Sequence, residues 1–311
     1  ASALAGGNPV IVKAHRAHPG TSAMIGLAVV KAAKKTGMPD GVFSLLHGLG
    51  SVVGQGLVKH PMVKAAGFTG SQKAGRILYD LANQRKEPIP FFAEMGSVNP
   101  VMIFPSSLNS ETAGILAGSI TMGVGQFCTN PGIIISIESD EMSEFISQLG
   151  HDLAQVNPDT MLTEQISKVY NQEVESLLSH NKIKLEARAN NSKNKNEGRA
   201  TLVSVSAKDF INNPKLSEEV FGPCSLIIRC KNKSEIEKVL HSLDGQLTGS
   251  IFGDSSELSL YESAVNILES KVGRLIFNGV PTGVEVCPSM QHGGPYPASS
   301  DSRFTSVGTA A

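Results

Sequence analysis

The chain has 311 residues, enough for two packed units with a core each. Its 41% hydrophobic and 18% charged residues and net charge of −1 mark a globular protein rather than a disordered or fibrous one. No basic block is present to neutralise phosphates, which argues against a nucleic-acid partner, and no run approaches the ~20 apolar residues of a membrane span.

In chain order, residues 9–13 predict a strand, 21–35 a helix, 42–46 a strand and 51–59 a helix. Residues 63–68, 71–84 and 89–93 continue the β-α-β rhythm, which predicts a parallel sheet with covering helices. Ligands on such sheets bind at the carboxyl ends of the strands, so the loops after Val12, Leu46 and Phe68 are the places to search. A change of pattern near 95–100 marks a boundary. Beyond it a helix is expected over 111–126, capped by Asn109 or Ser110, then a strand over 133–137 and helices near 143–155 and 161–179. Residues 187–199, rich in Asn, Lys and Gly, read as a surface loop. A second alternation follows, with strands around 202–205, 225–229, 249–252 and 274–277 and helices near 234–242 and 256–268.

Few groups could carry chemistry. Cys128 lies in Gly123-Val-Gly-Gln-Phe-Cys-Thr-Asn-Pro-Gly132, where glycines let backbone approach a substrate; it is either a nucleophile or a buried structural thiol. Cys224 and Cys230 flank an apolar strand pattern and read as core, and Cys287 has no activating partner. Sparse cysteines without C-x-x-C pairing, and no basic-then-apolar secretory start, point to a reducing cytoplasm. Glu94 ends the apolar run 89–93 and precedes Met95-Gly96, the place for a general base or for a solvated turn glutamate. Gly67-Phe-Thr-Gly70-Ser71 follows a strand and opens a helix, where free N–H groups favour phosphate. Gly48-Leu-Gly50-Ser51-Val-Val-Gly54 is one residue longer than the dinucleotide fingerprint. Both glycine segments also read as tight strand-to-helix turns. His15 and His18 lack partners at metal-ligand spacing, so no metal is expected, and no G-x-S-x-G elbow supports a serine hydrolase.

Four ordered segments, Phe68-Thr-Gly-Ser71, Glu94-Met-Gly96, Gly125-Gln-Phe-Cys128 and Glu218-Glu-Val-Phe-Gly-Pro223, together resemble motifs of the aldehyde dehydrogenase superfamily. Longer phrases, among them Phe277-Asn-Gly-Val-Pro-Thr-Gly-Val-Glu285 and His292-Gly-Gly-Pro-Tyr-Pro-Ala298, resemble its α-ketoglutarate semialdehyde (2,5-dioxopentanoate) dehydrogenase branch. An NADP-dependent fatty-aldehyde branch shares several of them. The resemblance implies an α/β aldehyde dehydrogenase fold with a partial Rossmann-like cofactor domain. Residues 1–95 would be the later part of the NAD(P)-binding domain, 96–289 the catalytic domain, and 290–311 a segment returning toward the cofactor and oligomerisation region. It implies Cys128 as nucleophile and Glu94 as the base that releases the acid. Lys13, Arg16, Ser51, Thr69, Gly70, Ser71, Gly96, Glu219 and Phe221 would contact the cofactor, and Phe127 and Asn278 the aldehyde.

The reaction so implied is NAD(P)-dependent oxidation of an aldehyde to a carboxylic acid through a cysteine thioester, 2,5-dioxopentanoate to 2-oxoglutarate, in a homo-oligomer. A long-chain fatty aldehyde dehydrogenase, a CoA-acylating semialdehyde dehydrogenase and a non-catalytic relative are the alternatives, and Glu94 speaks against the CoA-acylating one. NAD-preferring relatives carry a glutamate where this chain has Arg16. A cation there favours NADP, unless the arginine is merely solvated. The chain has no initiator methionine, and the family's oxyanion-hole asparagine belongs to a segment upstream of Ala1. The expectation is therefore an N-terminally truncated chain that turns over slowly by itself.

Overall fold

The structure, a computed structural model, describes residues 2–191, 194–283 and 287–306. The chain divides into two compact units that part between Ala93 and Glu94. The first runs α1 (Ser2–Ala5), β1 (Val10–Lys13), α2 (Pro19–Lys35), β2 (Phe43–Leu46), a π-helical turn (Gly50–Gly54), α3 (Gln55–Lys59), β3 (Ala66–Thr69), α4 (Gln72–Asn83) and β4 (Phe91–Glu94), whose last residue opens the second unit. Strands β1 and β2 pair in parallel with Lys13 opposite Leu46, as the β-α-β rhythm predicts. Helix α2 rests on β2 at Gly26, where a Cβ would come within 2.8 Å of the Leu45 side chain. Otherwise the pair is open: Ile11 and Val12 on β1 and Met24, Ile25 and Leu27 on α2 are exposed.

The second unit contains β5 (Val101–Ile103), α5 (Ser110–Thr121), β6 (Ile133–Ile137), α6 (Asp140–Gln155), β7 (Asp159–Thr160), α7 (Glu164–Leu178), β8 (Lys184–Arg188) and β9 (Glu197–Gly198). It continues with β10 (Thr201–Ser206), α8 (Ala207–Ile211), β11 (Cys224–Cys230), α9 (Lys233–Ser242), β12 (Gln246–Phe252), α10 (Ser255–Leu258), α11 (Glu262–Lys271) and β13 (Val272–Phe277). Seven strands form one sheet in the order β13-β12-β5-β6-β11-β10-β8, in which only β8 runs antiparallel to its neighbour. Its strands are near-continuous apolar runs because both faces are covered. With a side-chain period of two, Ile133, Ile135, Leu226 and Ile228 meet α8, α9 and α11. Between them, Ile134 and Ile227 turn to the other face and meet α5 and α6.

Asn109 caps α5, accepting from Thr112 N at 3.0 Å, and Ser139, Thr163, Ser206 and Asn232 cap later helices in the same way. Three sequence expectations change. The helix expected to reach residue 126 stops at Thr121, since Gly123 and Val124 adopt left-handed backbone, which ends a right-handed helix. The loop expected over 187–199 contains the end of β8 and all of β9, which pairs with β7. The helix expected over 256–268 is broken before Glu262, where buried Tyr261 stacks on Phe104 with ring centroids 4.3 Å apart.

Candidate active site

Residues 287–306 close the site, and glycines determine how near they come. A Cβ on Gly273 of β13 would overlap the Gly293 carbonyl, and one on Gly294 would overlap the carbonyl of Gln246. Backbone therefore lies directly on backbone there, which fixes the position of His292. Its main chain is held as well, with N donating to Thr305 Oγ1 at 2.8 Å and O accepting from Ser306 N at 2.9 Å. Glu94, buried at 4% exposure, lies beside this segment: it bridges to Ser299, and the next amide, Met95 N, donates to Ala298 O at 2.7 Å.

Cys128 comes from another direction. Gly125, with φ of 65°, lies where a Cβ would overlap the Gly222–Pro223 peptide, so only glycine lets the cysteine loop seat against the start of β11. Fully buried Asn99, itself at φ 45°, donates from Nδ2 to the carbonyls of Cys128 and Asn130, each at 2.9 Å. Its Oδ1 accepts from Ser97 Oγ and Thr248 Oγ1, both at 2.8 Å. The cysteine loop is thus anchored to the central sheet through a satisfied buried network.

These two placements bring Cys128, His292 and Glu94 together. His292 Nε2 is 3.4 Å from Cys128 Sγ and 3.1 Å from Glu94 Oε1, and Ser306 Oγ donates to the other Glu94 oxygen. Burial first, and the nearby Glu94 carboxylate in the same direction, together push the Cys128 thiol up to about 12. Burial also opposes ionisation of Glu94, but hydrogen bonds from His292 and Ser306 outweigh it and hold that carboxyl below its ordinary value. One nitrogen therefore lies between an acid that is ionised and a thiol that is not. Nε2 can donate to Glu94 or accept from the thiol, but not both, so moving the thiol proton requires the imidazole to exchange partners.

A cleft of about 230 Å³ adjoins the cysteine loop, lined by Ser97, Phe127, Asn130, Glu219 and Phe221 among others. Burial raises the Glu219 carboxyl to about 7, with the Ser97 amide opposing and Glu173 adding to the rise. A Cβ on Gly96 would collide with the same carboxylate.

Residues 1–299 match the aldehyde dehydrogenase family. The chain belongs to that family. It is 46% identical to alpha-ketoglutaric semialdehyde dehydrogenase 2 of Azospirillum brasilense, covering 100% of this chain and 60% of that protein. It is 42% identical to the alpha-ketoglutaric semialdehyde dehydrogenase of Acinetobacter baylyi, covering 100% of this chain and 59% of that one. The chain thus spans about 60% of the length of these curated relatives. A solved structure of the glyceraldehyde-3-phosphate dehydrogenase GapN of Methanocaldococcus jannaschii, complexed with NADP, matches with a TM-score of 0.79 at 24% identity over 96% of this chain and 63% of that one. Proline utilization A of Bdellovibrio bacteriovorus matches with a TM-score of 0.80 at 21% identity, over 99% of this chain and 32% of that one. At these identities the likeness establishes the aldehyde dehydrogenase fold.

Within that fold, the second unit brings together Cys128 and Glu94 and places Phe127, Glu219 and Phe221 on one cleft. Asn278, at φ 49°, uses its amide to accept from Gly253 N at 2.9 Å and donate to Gly253 O at 3.1 Å. In the first unit Lys13 ends β1, Ser51 lies in the π-helical turn, and Thr69 ends β3 with Gly70 after it. Ser71 caps α4 by accepting from Ala74 N at 3.4 Å. Arg16 is exposed beyond β1, and Lys13 and Arg16, together with burial and His18, lower the His15 pKa, so this loop is electropositive.

His292 and Ser306 escaped sequence reasoning, although His292 was within a quoted phrase. A histidine 164 residues from the cysteine carries no local sign of contact with it. The same separation hid another property: the donor atoms of Glu94, Cys128 and His292 all lie within 4.8 Å of one another, as metal ligands would, among the described residues. A metal would have to displace the thiol proton, which the raised Cys128 pKa resists.

Proposed function

We propose that this chain carries the catalytic centre of an NAD(P)-dependent aldehyde dehydrogenase that oxidises 2,5-dioxopentanoate to 2-oxoglutarate. The observation that supports it above all is Cys128 Sγ, His292 Nε2 and Glu94 in one hydrogen-bonded group. The substrate follows from the two semialdehyde dehydrogenases at 46% and 42% identity.

Oxidation begins when the Cys128 thiol gives its proton to Nε2 and the sulfur adds to the aldehyde carbon, forming an S–C bond. The Cys128 backbone N–H, which already favours the thiolate, is the donor for the new oxyanion. A bound nicotinamide supplies the hydride acceptor that turns the adduct into a thioester. Glu94, ionised and beside Cys128, takes a proton from water; the hydroxide breaks the S–C bond and the acid leaves with the thiol restored. Water is favoured over CoA as the acyl acceptor because Glu94 is positioned in the site.

Glu219 is assigned to the nicotinamide ribose: a carboxylate with a raised pKa, in a cleft that Gly96 keeps open, fits a hydroxyl-bearing ligand that would restore its charge. Phe221 is assigned to the ring. In the first unit, Lys13 and Arg16 are assigned to the adenosine end, with NADP preferred, Ser51 to a further cofactor contact, and Thr69, Gly70 and Ser71 to the pyrophosphate. A cytoplasmic homo-oligomer completes the reading: all four cysteines are free, and no helix among the described residues is long and apolar enough to cross a membrane.

Single-turnover measurement on the whole protein tests the chemistry. Glu94→Gln is expected to release one equivalent of reduced nicotinamide and then stall as the thioester, while Cys128→Ala gives no burst. A burst from Cys128→Ala would overturn the reading.

A further inference from the structure

Arg274 is the least satisfied cation of the second unit. It lies on edge strand β13, opposite Thr248 of β12. Nη1 points at the Met290 thioether at 3.1 Å, a weak acceptor, and Nη2 reaches the Pro281 carbonyl only at 3.5 Å. Its Nε is buried with no hydrogen-bond partner, and no carboxylate pairs with the guanidinium among the described residues. A half-buried arginine normally compensates for lost water with strong charge-assisted bonds, and this one forms only the weak contact to the thioether and the long one to the carbonyl.

Its surroundings indicate what is missing. Met290 is two residues before His292, whose Nε2 is 3.4 Å from Cys128 Sγ, so the guanidinium contacts the same short segment that brings the imidazole to the sulfur. Burial lowers the Arg274 pKa, while the Cys128 and Cys287 sulfurs, when ionised, act in the opposite direction, so the cation is within electrostatic reach of the nucleophile's thiolate form. Nη1 and Nη2 each keep a second N–H, and an anion that accepted from both would bind the guanidinium end-on as a fork.

We propose that Arg274 is a specificity-determining residue that takes the far carboxylate of a short oxo-acid aldehyde and thereby presents the aldehyde carbon to Cys128. This rests on the aldehyde oxidation proposed above and deepens it by naming what selects the acid.

The test compares two aldehydes of equal carbon number, 2,5-dioxopentanoate and pentanal, on the whole protein and its Arg274→Met and Arg274→Lys variants. Wild-type protein is expected to favour the oxo-acid. In Arg274→Met the ratio of the two kcat/KM values should fall about a hundredfold, mostly through KM for the oxo-acid, as expected for losing charged hydrogen bonds. Arg274→Lys, which keeps the charge but not the fork, should fall between, and it serves if the methionine variant does not fold. Equal losses on both aldehydes, or an unchanged ratio in both variants, would overturn the anchor role while leaving aldehyde oxidation intact. A wild-type protein without preference for the oxo-acid would overturn the substrate reading, and the anchor with it.

Discussion

The two units share the β-α-β order but differ in what their strands touch. In the second, β6 and β12 are buried nearly end to end by helices on both sheet faces. In the first, β1 and β2 pair only with each other, and Ile11 and Val12 face outward. Alternation of apolar runs and helices therefore sets local structure in both, while cooperative burial belongs to one. Chemistry follows the same division. The proposed reacting groups are on the well-packed unit, where dense packing can hold Sγ, Nε2 and Oε1 within bonding distance, and the loops of the first unit proposed to meet the cofactor are exposed at Arg16, Ser51 and Thr69 to Ser71.

The largest way to sharpen that contrast is paired truncation. Ile134→Ala should lower stability by about 3–4 kcal/mol, since it opens a cavity in a closed core, whereas Ile11→Ala should stay within ~0.5 kcal/mol. Urea denaturation measures both, and equal losses would erase the difference between the units. Next, His292→Ala should reduce kcat about 10²–10³-fold, yet leave the denaturation midpoint close to wild type, because Gly273, Gly293 and Gly294 rather than the imidazole hold its segment.

Smaller, Glu94→Gln removes a charge that raises the Cys128 pKa. Alkylation of Cys128 by iodoacetamide at pH 9 should then quicken by roughly tenfold, the effect of one pKa unit; an unchanged rate would show that burial alone holds the thiol protonated. Glu219 gives a pH signature. Its folded-state pKa of about 7 is above the ordinary 4.5, so the folded state holds the extra proton and loses this contribution as pH rises from 4.5 through 7. Glu219→Gln should therefore gain stability relative to wild type at pH 8 but not at pH 4, read as the shift in thermal midpoint. The smallest effect is expected in the exposed unit, where Arg16→Glu should move the NADP-to-NAD ratio of kcat/KM about tenfold toward NAD, without changing stability.

Element order was legible in the sequence because period-two and helical apolar patterns are local. Strands 133–137 and 225–229, and the Asn109 cap, are found where those patterns put them. Breaks in helices were less legible. The left-handed turn over residues 123–125 and the interruption near Tyr261 answer to packing of Gly125 against Gly222–Pro223 and of Tyr261 against Phe104, which no window of sequence contains. Cys128 and Glu94 could be named because ordered motifs resemble those of the family, while their glycine-rich and strand-end settings alone also fit a structural thiol and a solvated glutamate. His292 could not, since its setting is an ordinary glycine-proline turn.

The sequence by itself determined the family, the β-α order and the candidates for nucleophile and base, because each is encoded in a few neighbouring residues. Only the tertiary structure decided that His292 lies between them, that Glu94 is ionised while Cys128 is not, and that Arg274 has only weak partners and an unbonded Nε. Those three are set by distance and burial among residues far apart in the chain, and electrostatic energy depends on separation in space rather than along the sequence.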